Sequence, residues 1–519
     1  MNRSKILSAD DAVKKINDNS TVVVGGAGGG LAEPTALLMA LEERFLNTSS
    51  PRDLTFVHIT GVGDRKEGGM CHVAHEGLVK CDIGGHWDYL PKMGKLASEN
   101  KIEAYNLPQG VLSQLFREIA AKRPGLFTHV GLKTFVDPRI EGGKLNSKTT
   151  KDLVQVVNVA GQEKLFYDAF PVDIAFLRGT TADEDGNVSM EEEAAIFENL
   201  AIAQAVRNNG GKVFVQVKRL ASQGTLHPKN VKIPGILVDG IIVCPEQTQT
   251  VASYYNPAYS GEIKIPLQKI QPLPFDERKV IAMRAALEIP AKGVINLGVG
   301  ISGSVGVVAT EMGLNNEFVF AVEQGVIGGV PANGIEFGAS INPLAIIDTP
   351  SQFDFFDGGG IDLSCLGMAQ VDGIGNVNVS KIGDRIIGCG GFINIAQNAK
   401  QIIFCGTFTA GGLKIVIKDG QLNIINEGKH KKFVNQVDQI TFSGEYAKET
   451  GQKVMFITER AVFELGEQGL VLTEIAPGVI IEKDILAHMD FMPAISSELR
   501  EMNPMLFKQH VDKRVTSNI

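Results

Sequence analysis

Glu323 stands where a carboxylate could do covalent chemistry. It closes the apolar run Phe318-Val319-Phe320-Ala321-Val322, and Gln324-Gly325-Val326-Ile327-Gly328-Gly329-Val330-Pro331 comes directly after it. Five mostly β-branched or aromatic residues in a row predict a buried parallel strand. A carboxylate at the C-terminal end of such a strand sits where open α/β sheets bind ligands. Such a residue can be an ordinary strand-end acid. It can also be a nucleophile, which needs a backbone cleared of side chains so that a reacting group can approach.

A second reading competes for the same residue. Gly298-Val299-Gly300-Ile301-Ser302-Gly303 matches the dinucleotide fingerprint G-x-G-x-x-G between strand-like and helix-like segments. Glu323 would then be the acid that binds a ribose. The same turn suits other ligands, because N–H groups at a helix N-terminus stabilise a pyrophosphate and a tetrahedral oxyanion alike. The segment after Glu323 bears on the choice. A ribose-binding acid normally leads into a loop and a crossover helix. Here Gly325, Gly328, Gly329, Pro331 and Gly334 lead into Phe337-Gly338-Ala339-Ser340, which leaves room around the carboxylate. Further glycine loops lie at Phe355-Phe356-Asp357-Gly358-Gly359-Gly360, Ile387-Gly388-Cys389-Gly390-Gly391-Phe392-Ile393-Asn394 and Gly406 to Gly412.

The elements that must position these loops form a weak internal repeat. Thr21-Val22-Val23-Val24, then Gly25 to Gly30, then a helix from Glu33-Pro34, match Val294 to Leu297, Gly298 to Gly303, and a helix through Val307 and Val308. Ala182 to Val188 echoes Val371 to Val377, and both segments predict hairpin turns. Ile202-Ala203-Gln204 echoes Ile395-Ala396-Gln397, each ahead of an apolar strand. Three echoes in the same order predict a duplicated, open α/β domain. Pro266, Pro272 and Pro274 break regular structure between the copies. The expected domains are 1–271 and 272–519, a division in keeping with a chain of 519 residues.

Composition narrows the function classes. Fifty Lys and Arg against 59 Asp and Glu give a net charge of −9, which argues against a general nucleic-acid binder. Six scattered cysteines suit a reducing, cytoplasmic compartment better than a disulfide framework. Ser8-Ala9-Asp10-Asp11 reads as a helix cap rather than part of a signal peptide. The uncharged run Gly293 to Thr310 carries Asn296, Ser302, Ser304 and several glycines, so it is not read as a membrane span. Cys71, His72, His75, Cys81 and His86 lack the C-x₂₋₄-C pairs of a structural zinc site, and no metal is expected. A role for His72, His75 or His86 in polar packing or beside the substrate is the expectation instead. Lys429-His430-Lys431-Lys432 reads as a solvated loop. No G-x-x-x-x-G-K-[ST] phosphate loop and no G-x-S-x-G elbow occurs in the sequence.

Taken together, the segments resemble the family I coenzyme A-transferases, and among them the acetate/propionate branch, over nearly the whole chain. The resemblance rests on Ala74-His75-Glu76-Gly77-Leu78, Tyr105-Asn106-Leu107-Pro108-Gln109-Gly110, the Glu323 to Pro331 segment, and the glycine loops at 355–360, 388–394 and 405–412. It implies a glycine-loop active site at the interface of two similar domains. It implies that Glu323 is a covalent nucleophile and that Gln109 contacts the carboxylate of the acid. The loops at Val299-Gly300 and Gly390-Gly391 would supply backbone donors to an oxyanion and bind the CoA ester, with the donor between Gly390 and Gly391 left open. Coenzyme A is then a substrate, no cofactor is permanently bound, and the expected reaction is CoA transfer between short-chain acids by ping-pong steps. Acyl-CoA and short-chain carboxylates are the expected partners, without nucleic acid or membrane, in a homodimer or homotetramer. Val322-Glu323-Gln324-Gly325 departs from the Ser-Glu-Asn-Gly of many members, which bears on acid specificity more than on chemistry.

Overall fold

The computed structural model describes residues 5–266, 273–314 and 317–508. Its core is built on two parallel sheets with helices packed against them, the arrangement expected of open α/β domains. In the N-terminal half the sheet order is Gly240–Val243, Lys212–Val217, Ile174–Arg178, Thr21–Val24, Leu54–His58, Val79–Gly84, Glu103–Asn106. Every neighbouring pair in it is parallel. The chain enters at the centre, fills one side, and then returns to fill the other. This creates a switch point between Thr21–Val24 and Ile174–Arg178, where the loops diverge and leave a crevice.

The C-terminal sheet repeats that plan. Its central strands run Glu317–Val322, Lys292–Leu297, Leu363–Gly367, Gln401–Cys405, Lys453–Ile457, all parallel. The switch point lies between Lys292–Leu297 and Leu363–Gly367. Antiparallel strands extend both edges, including Ala461–Gly466 beyond Lys453–Ile457. The strand before Glu323 is therefore parallel on one side only. On the other side the chain turns at Glu323 and pairs back through Val326–Ile327 in antiparallel sense. No crossover helix comes directly after it, which distinguishes this segment from a dinucleotide-binding unit.

The smaller echoes also have structure. Thr181–Asp183 and Val188–Ser189 form an antiparallel pair, as do Gln370–Val371 and Val377–Asn378. In each turn an aspartate caps the backbone: Asn187 N–H donates to Asp183 Oδ1 and Asn376 N–H to Asp372 Oδ1, both at 2.9 Å. Ile202 and Ile395 lie on helices Asn199–Asn208 and Phe392–Asn398, each ahead of an inner strand. Ser8 caps helix Ala9–Val13 by accepting from Asp11 N–H at 3.0 Å. The division at 271/272 lies outside the described residues, so 1–271 and 272–519 is a proposed boundary.

The two halves are joined by main-chain hydrogen bonds around residues 387–390. Trp87 and Asp88 N–H donate to Ile387 O at 2.7 and 3.0 Å. Gly390 N–H donates to Gly85 O at 2.7 Å, and Gln109 N–H donates back to Gly390 O at 2.9 Å. Asn106, fully buried, completes the seam. Its Nδ2 donates to Gly84 O and Gly85 O, and its Oδ1 accepts from Cys389 N–H at 2.9 Å. Buried donors and acceptors left without partners are costly, so this side chain holds two loops at once. Asn106→Ala should destabilise the protein by about 1–3 kcal/mol, because the buried Cys389 N–H loses its partner while Gly84 O and Gly85 O keep only their main-chain donors. Urea unfolding measures this, and an unchanged midpoint would contradict the assigned role of the seam.

Candidate active site

The seam closes a cavity of about 260 Å³ between the two halves. Of the residues singled out in the sequence, Glu323, Gln109, Val299, Gly390 and Gly391 all line it. They come from four separate loops. Glu323 ends strand Glu317–Val322, and Val299 comes just after strand Lys292–Leu297. Gly390 and Gly391 precede helix Phe392–Asn398, while Gln109 opens helix Gln109–Ala120 of the other half. Each loop sits at the C-terminal end of a strand or the N-terminal end of a helix, where side chains converge above an open sheet.

Close approach explains the glycines. A Cβ placed on Gly391 would lie 3.5 Å from Glu323 Cγ and 3.2 Å from the Phe353 ring. At Gly390 the backbone has φ +52°, a conformation that favours glycine. Across the cavity, a Cβ on Gly28 would fall 2.5 Å from the Tyr89 ring, so the N-terminal glycine loop also presses on the site wall.

The electrostatics single out two side chains. Glu323 is only 8% exposed, and burial pushes its carboxyl up to about 7. Hydrogen bonding to its own main chain and to Gln324 acts in the opposite direction. Gln109 is 2% exposed, and among the described residues its Nε2 has no hydrogen-bond partner. An unpaired buried amide N–H₂ is a costly group, and Gln109 lines the cavity. His86 also lines the cavity, stacked obliquely 5.4 Å from Tyr89, and burial lowers its imidazole to about 4. It is therefore neutral at pH 7.

Gly300 does not line this cavity. It is exposed, and its N–H donates to Asn333 Oδ1 at 3.2 Å. The turn leaves the cavity after Val299, so of the two residues expected to donate to an oxyanion only Val299 lines it, and Gly300 N–H is bonded to Asn333 instead. The candidate metal residues do not converge either. His72 Nδ1 and His75 Nε2 both bond the Glu42 carboxylate, at 2.6 and 2.8 Å, and His86 stands apart in the cavity. Among the described residues no group of three or more His, Cys, Asp or Glu is arranged to hold a metal ion. The six cysteines are free thiols. The basic run is not simply a solvated loop. Lys432 is half-buried, its ammonium donates to Met368 O at 3.3 Å, and burial lowers it to about 8. The Gly406 to Gly412 loop is absent from the cavity lining. No helix among the described residues is long and apolar enough to cross a membrane.

Several wall residues were not singled out from the sequence, Tyr89, Leu366 and Val379, while Phe337 and Ile387 were named only as flanks of glycine segments. They make the cavity largely apolar. Leu366 lies in the strand beside the C-terminal switch point, a place that topology identifies once the strand order is known. The others sit in loops and carry no comparable signal.

Comparison with known proteins accords with this geometry. The family model for coenzyme A transferase matches residues 6–243. Acetate CoA-transferase YdiF of Escherichia coli (strain K12) is 49% identical over 506 residues, covering 97% of this chain and 95% of that protein. Caffeate CoA-transferase of Acetobacterium woodii is 48% identical over 518 residues, with 98% of each chain covered. Among solved structures, the apoenzyme of acyl-CoA transferase YdiF from Escherichia coli O157:H7 superposes with a TM-score of 0.94 at 48% identity, over 98% of both chains. The same protein as a thioester complex with CoA gives 0.93 at 48% identity, over 98% of this chain and 97% of that one. With near-complete coverage at about half identity and the same two-sheet architecture, the chain belongs to the coenzyme A transferase family and is a CoA-transferase.

Proposed function

We propose that the enzyme moves coenzyme A from an acyl-CoA to a short-chain carboxylic acid through a covalent thioester on Glu323. The observation that carries this reading is convergence: the buried carboxylate of Glu323, the unpaired amide of Gln109 and the backbone of Val299 and Gly391 meet in one small cavity.

In the first step the Glu323 carboxylate attacks the thioester carbonyl. A C–O bond forms, the carbonyl oxygen becomes an oxyanion, and collapse breaks the C–S bond. The products are an acyl-glutamyl anhydride and CoA thiolate. The thiolate then attacks the glutamyl carbonyl, expelling the donor acid as a carboxylate and leaving a glutamyl-CoA thioester. An acceptor carboxylate runs the two steps in reverse. No net proton is consumed, because every nucleophile and leaving group is an anion.

A carboxylate is a poor nucleophile toward a thioester, so the site must lower the barrier. Fixed positioning can supply roughly 7–11 kcal/mol, and one oxyanion donor about 3–4 kcal/mol. Val299 and Gly391 N–H are the donors we favour. Gly390 N–H is already committed to Gly85 O, and Gly300 N–H to Asn333. Gln109 Nε2 would hold the carboxylate of the departing or arriving acid. Burial helps as well: it strips water from Glu323 and raises its basicity, which makes the ionised fraction more reactive.

The cavity volume of about 260 Å³ and its apolar wall favour an acid with a short hydrocarbon tail, in the acetate, propionate and butyrate range. An aromatic acid is the second reading, supported by Tyr89 and Phe337 in the wall and by the caffeate-specific name of one relative. Six free thiols fit a cytoplasmic enzyme, and the family resemblance favours a homo-oligomer, which light scattering would test.

Mixing the enzyme with acetyl-CoA and no acceptor should add one CoA-sized mass to the peptide that holds Glu323, and acetate should remove it. Glu323→Ala should form no adduct and lose transfer while staying folded. Near-normal turnover by that variant would end the assignment. Comparing kcat/KM for acetate, propionate, butyrate and caffeate decides between the two acid classes.

The raised carboxyl gives a pH signature. Only the ionised form attacks, so kcat/KM should fall below about pH 7 and reach about one hundredth of its plateau two units lower. The same shift sets a stability trend. The folded-state value of about 7 lies above the ordinary 4.5, so Glu323 favours the folded state most below pH 4.5, and this contribution is lost as pH rises through 7. Glu323→Gln, which cannot ionise, should therefore be stabilised relative to the parent at pH 8 by on the order of 3 kcal/mol, and hardly at pH 4.5. Equal melting differences at both pH values would refute the buried-carboxylate account.

A further inference from the structure

The glycine loop at 355–360 lies outside the cavity lining, yet its aspartate is tied to the substrate-facing helix. Asp357 is the last residue of helix Thr349–Asp357. Its two carboxylate oxygens accept from Asn394 Nδ2 at 3.0 and 3.1 Å, and Oδ2 also accepts from Gln114 Nε2 at 3.0 Å. Asn398 Nδ2 adds a longer bond to Oδ1 at 3.4 Å. Asp357 is thus surrounded by donors. Because Asn394 must turn its N–H₂ toward Asp357, its Oδ1 must face the other way. There it accepts from Gly110 N–H at 3.1 Å, across the interface between the halves.

Gly110 is the residue after Gln109, and the two begin helix Gln109–Ala120. The contact is too close for a side chain: a Cβ on Gly110 would lie 2.4 Å from Asn394 Nδ2 and 2.5 Å from the Phe353 ring. The helix start is therefore held by Gln109 N–H to Gly390 O on one side and by Gly110 N–H to Asn394 on the other. We propose that Asp357 is a positioning residue: by fixing the amide orientation of Asn394 it sets the start of the Gln109 helix, and so aims the Gln109 amide at the carboxylate of the acid substrate. Asp357 does not touch the substrate. Its effect on the helix start is carried by a relay of two hydrogen bonds through Asn394, beside its direct bond to Gln114 further along the same helix. The inference rests on the acid-binding role proposed above for Gln109.

The chemistry dictates the consequences. In Asp357→Asn, an amide replaces an acceptor that faces three side-chain N–H₂ groups. Asn394 can then flip and present N–H to N–H at Gly110, which abolishes that bond. Exchanging the two residues, as Asp357→Asn with Asn394→Asp, restores the pattern. The new Asn donates to the new Asp, whose second oxygen again accepts from Gly110 N–H.

Ping-pong kinetics separate the two substrates, so the test is a set of KM values for acid and for acyl-CoA. Asp357→Asn should raise the KM for the acid about tenfold, the scale of one misplaced hydrogen bond, with the KM for acyl-CoA changed less than about twofold. The exchanged double variant should recover most of the loss. Asn394→Ser breaks the relay at its other member while leaving Asp357 bonded to Gln114. It should show the same selective rise, and it decides the matter alone if Asp357→Asn does not fold. A Gln109→Ala control separates the acid-binding role from the positioning role. If Gln109→Ala raises the acid KM but Asp357→Asn and Asn394→Ser do not, the positioning inference is overturned and the role of Gln109 stands. If Gln109→Ala leaves the acid KM unchanged, both fail. Loss of thermal stability without a selective change in acid KM would assign Asp357 a purely structural role and overturn the inference as well.

Discussion

The site depends on the hydrogen-bonded seam between residues 387–390 of one half and residues 85–109 of the other. Neither half contains the cavity by itself. Glu323, Val299 and Gly391 project from the C-terminal sheet, whereas Gln109, His86 and Tyr89 project from the N-terminal one. Main-chain bonds to Ile387 O, from Gly390 N–H and to Gly390 O hold the two sets of loops in one register, and Asn106 ties Gly84 and Gly85 to Cys389. Backbone–backbone contacts are a stiff way to join two domains, because they fix distance and orientation without a rotatable side chain. Where a reaction depends on positioning, a misplacement of about 1 Å is expensive.

The same joint sets the chemical state of Glu323. Closing the two halves over Glu323 removes it from water, and burial then disfavours its charge. The fold is destabilised locally at the residue proposed to carry the reaction, which is the usual relation between stability and activity at such sites. The surrounding cores are large enough to tolerate it. One extended apolar cluster underlies the C-terminal sheet, and two more fill the faces of the N-terminal sheet. The glycines complete the arrangement, since Gly28 lets the Tyr89 ring approach where a Cβ would obstruct, and Gly391 keeps the contact with Phe353 and Glu323 uncrowded.

Much of this was legible in the residues. The alternation of apolar runs with glycine loops marked the duplicated α/β plan, and Glu323 at a strand end ahead of a run of glycines marked the nucleophile candidate. These are local signals: strand length, periodicity and the special backbone freedom of glycine all act within a few neighbours. The Asp–Asn turns at 183–187 and 372–376 were readable for the same reason, as each aspartate caps a backbone only four residues away. Gly300 marks the limit of that logic. It fits the motif as well as Val299 does, but only the path of the turn shows that its N–H is directed to Asn333.

By itself, then, the sequence determined the strand and loop grammar and the two-copy architecture, and it drew attention to Glu323 as a candidate, because each depends on contacts short in sequence. The tertiary structure alone decided which loops share a cavity, how deeply Glu323 is buried in it and which apolar residues form its wall. Those properties arise from contacts between residues far apart in the chain, such as Gly110 and Asn394 at a separation of 284, or Asn106 and Cys389 at 283. No local pattern encodes such pairs. They exist only once two sheets, each folded by its own apolar strands, are brought face to face.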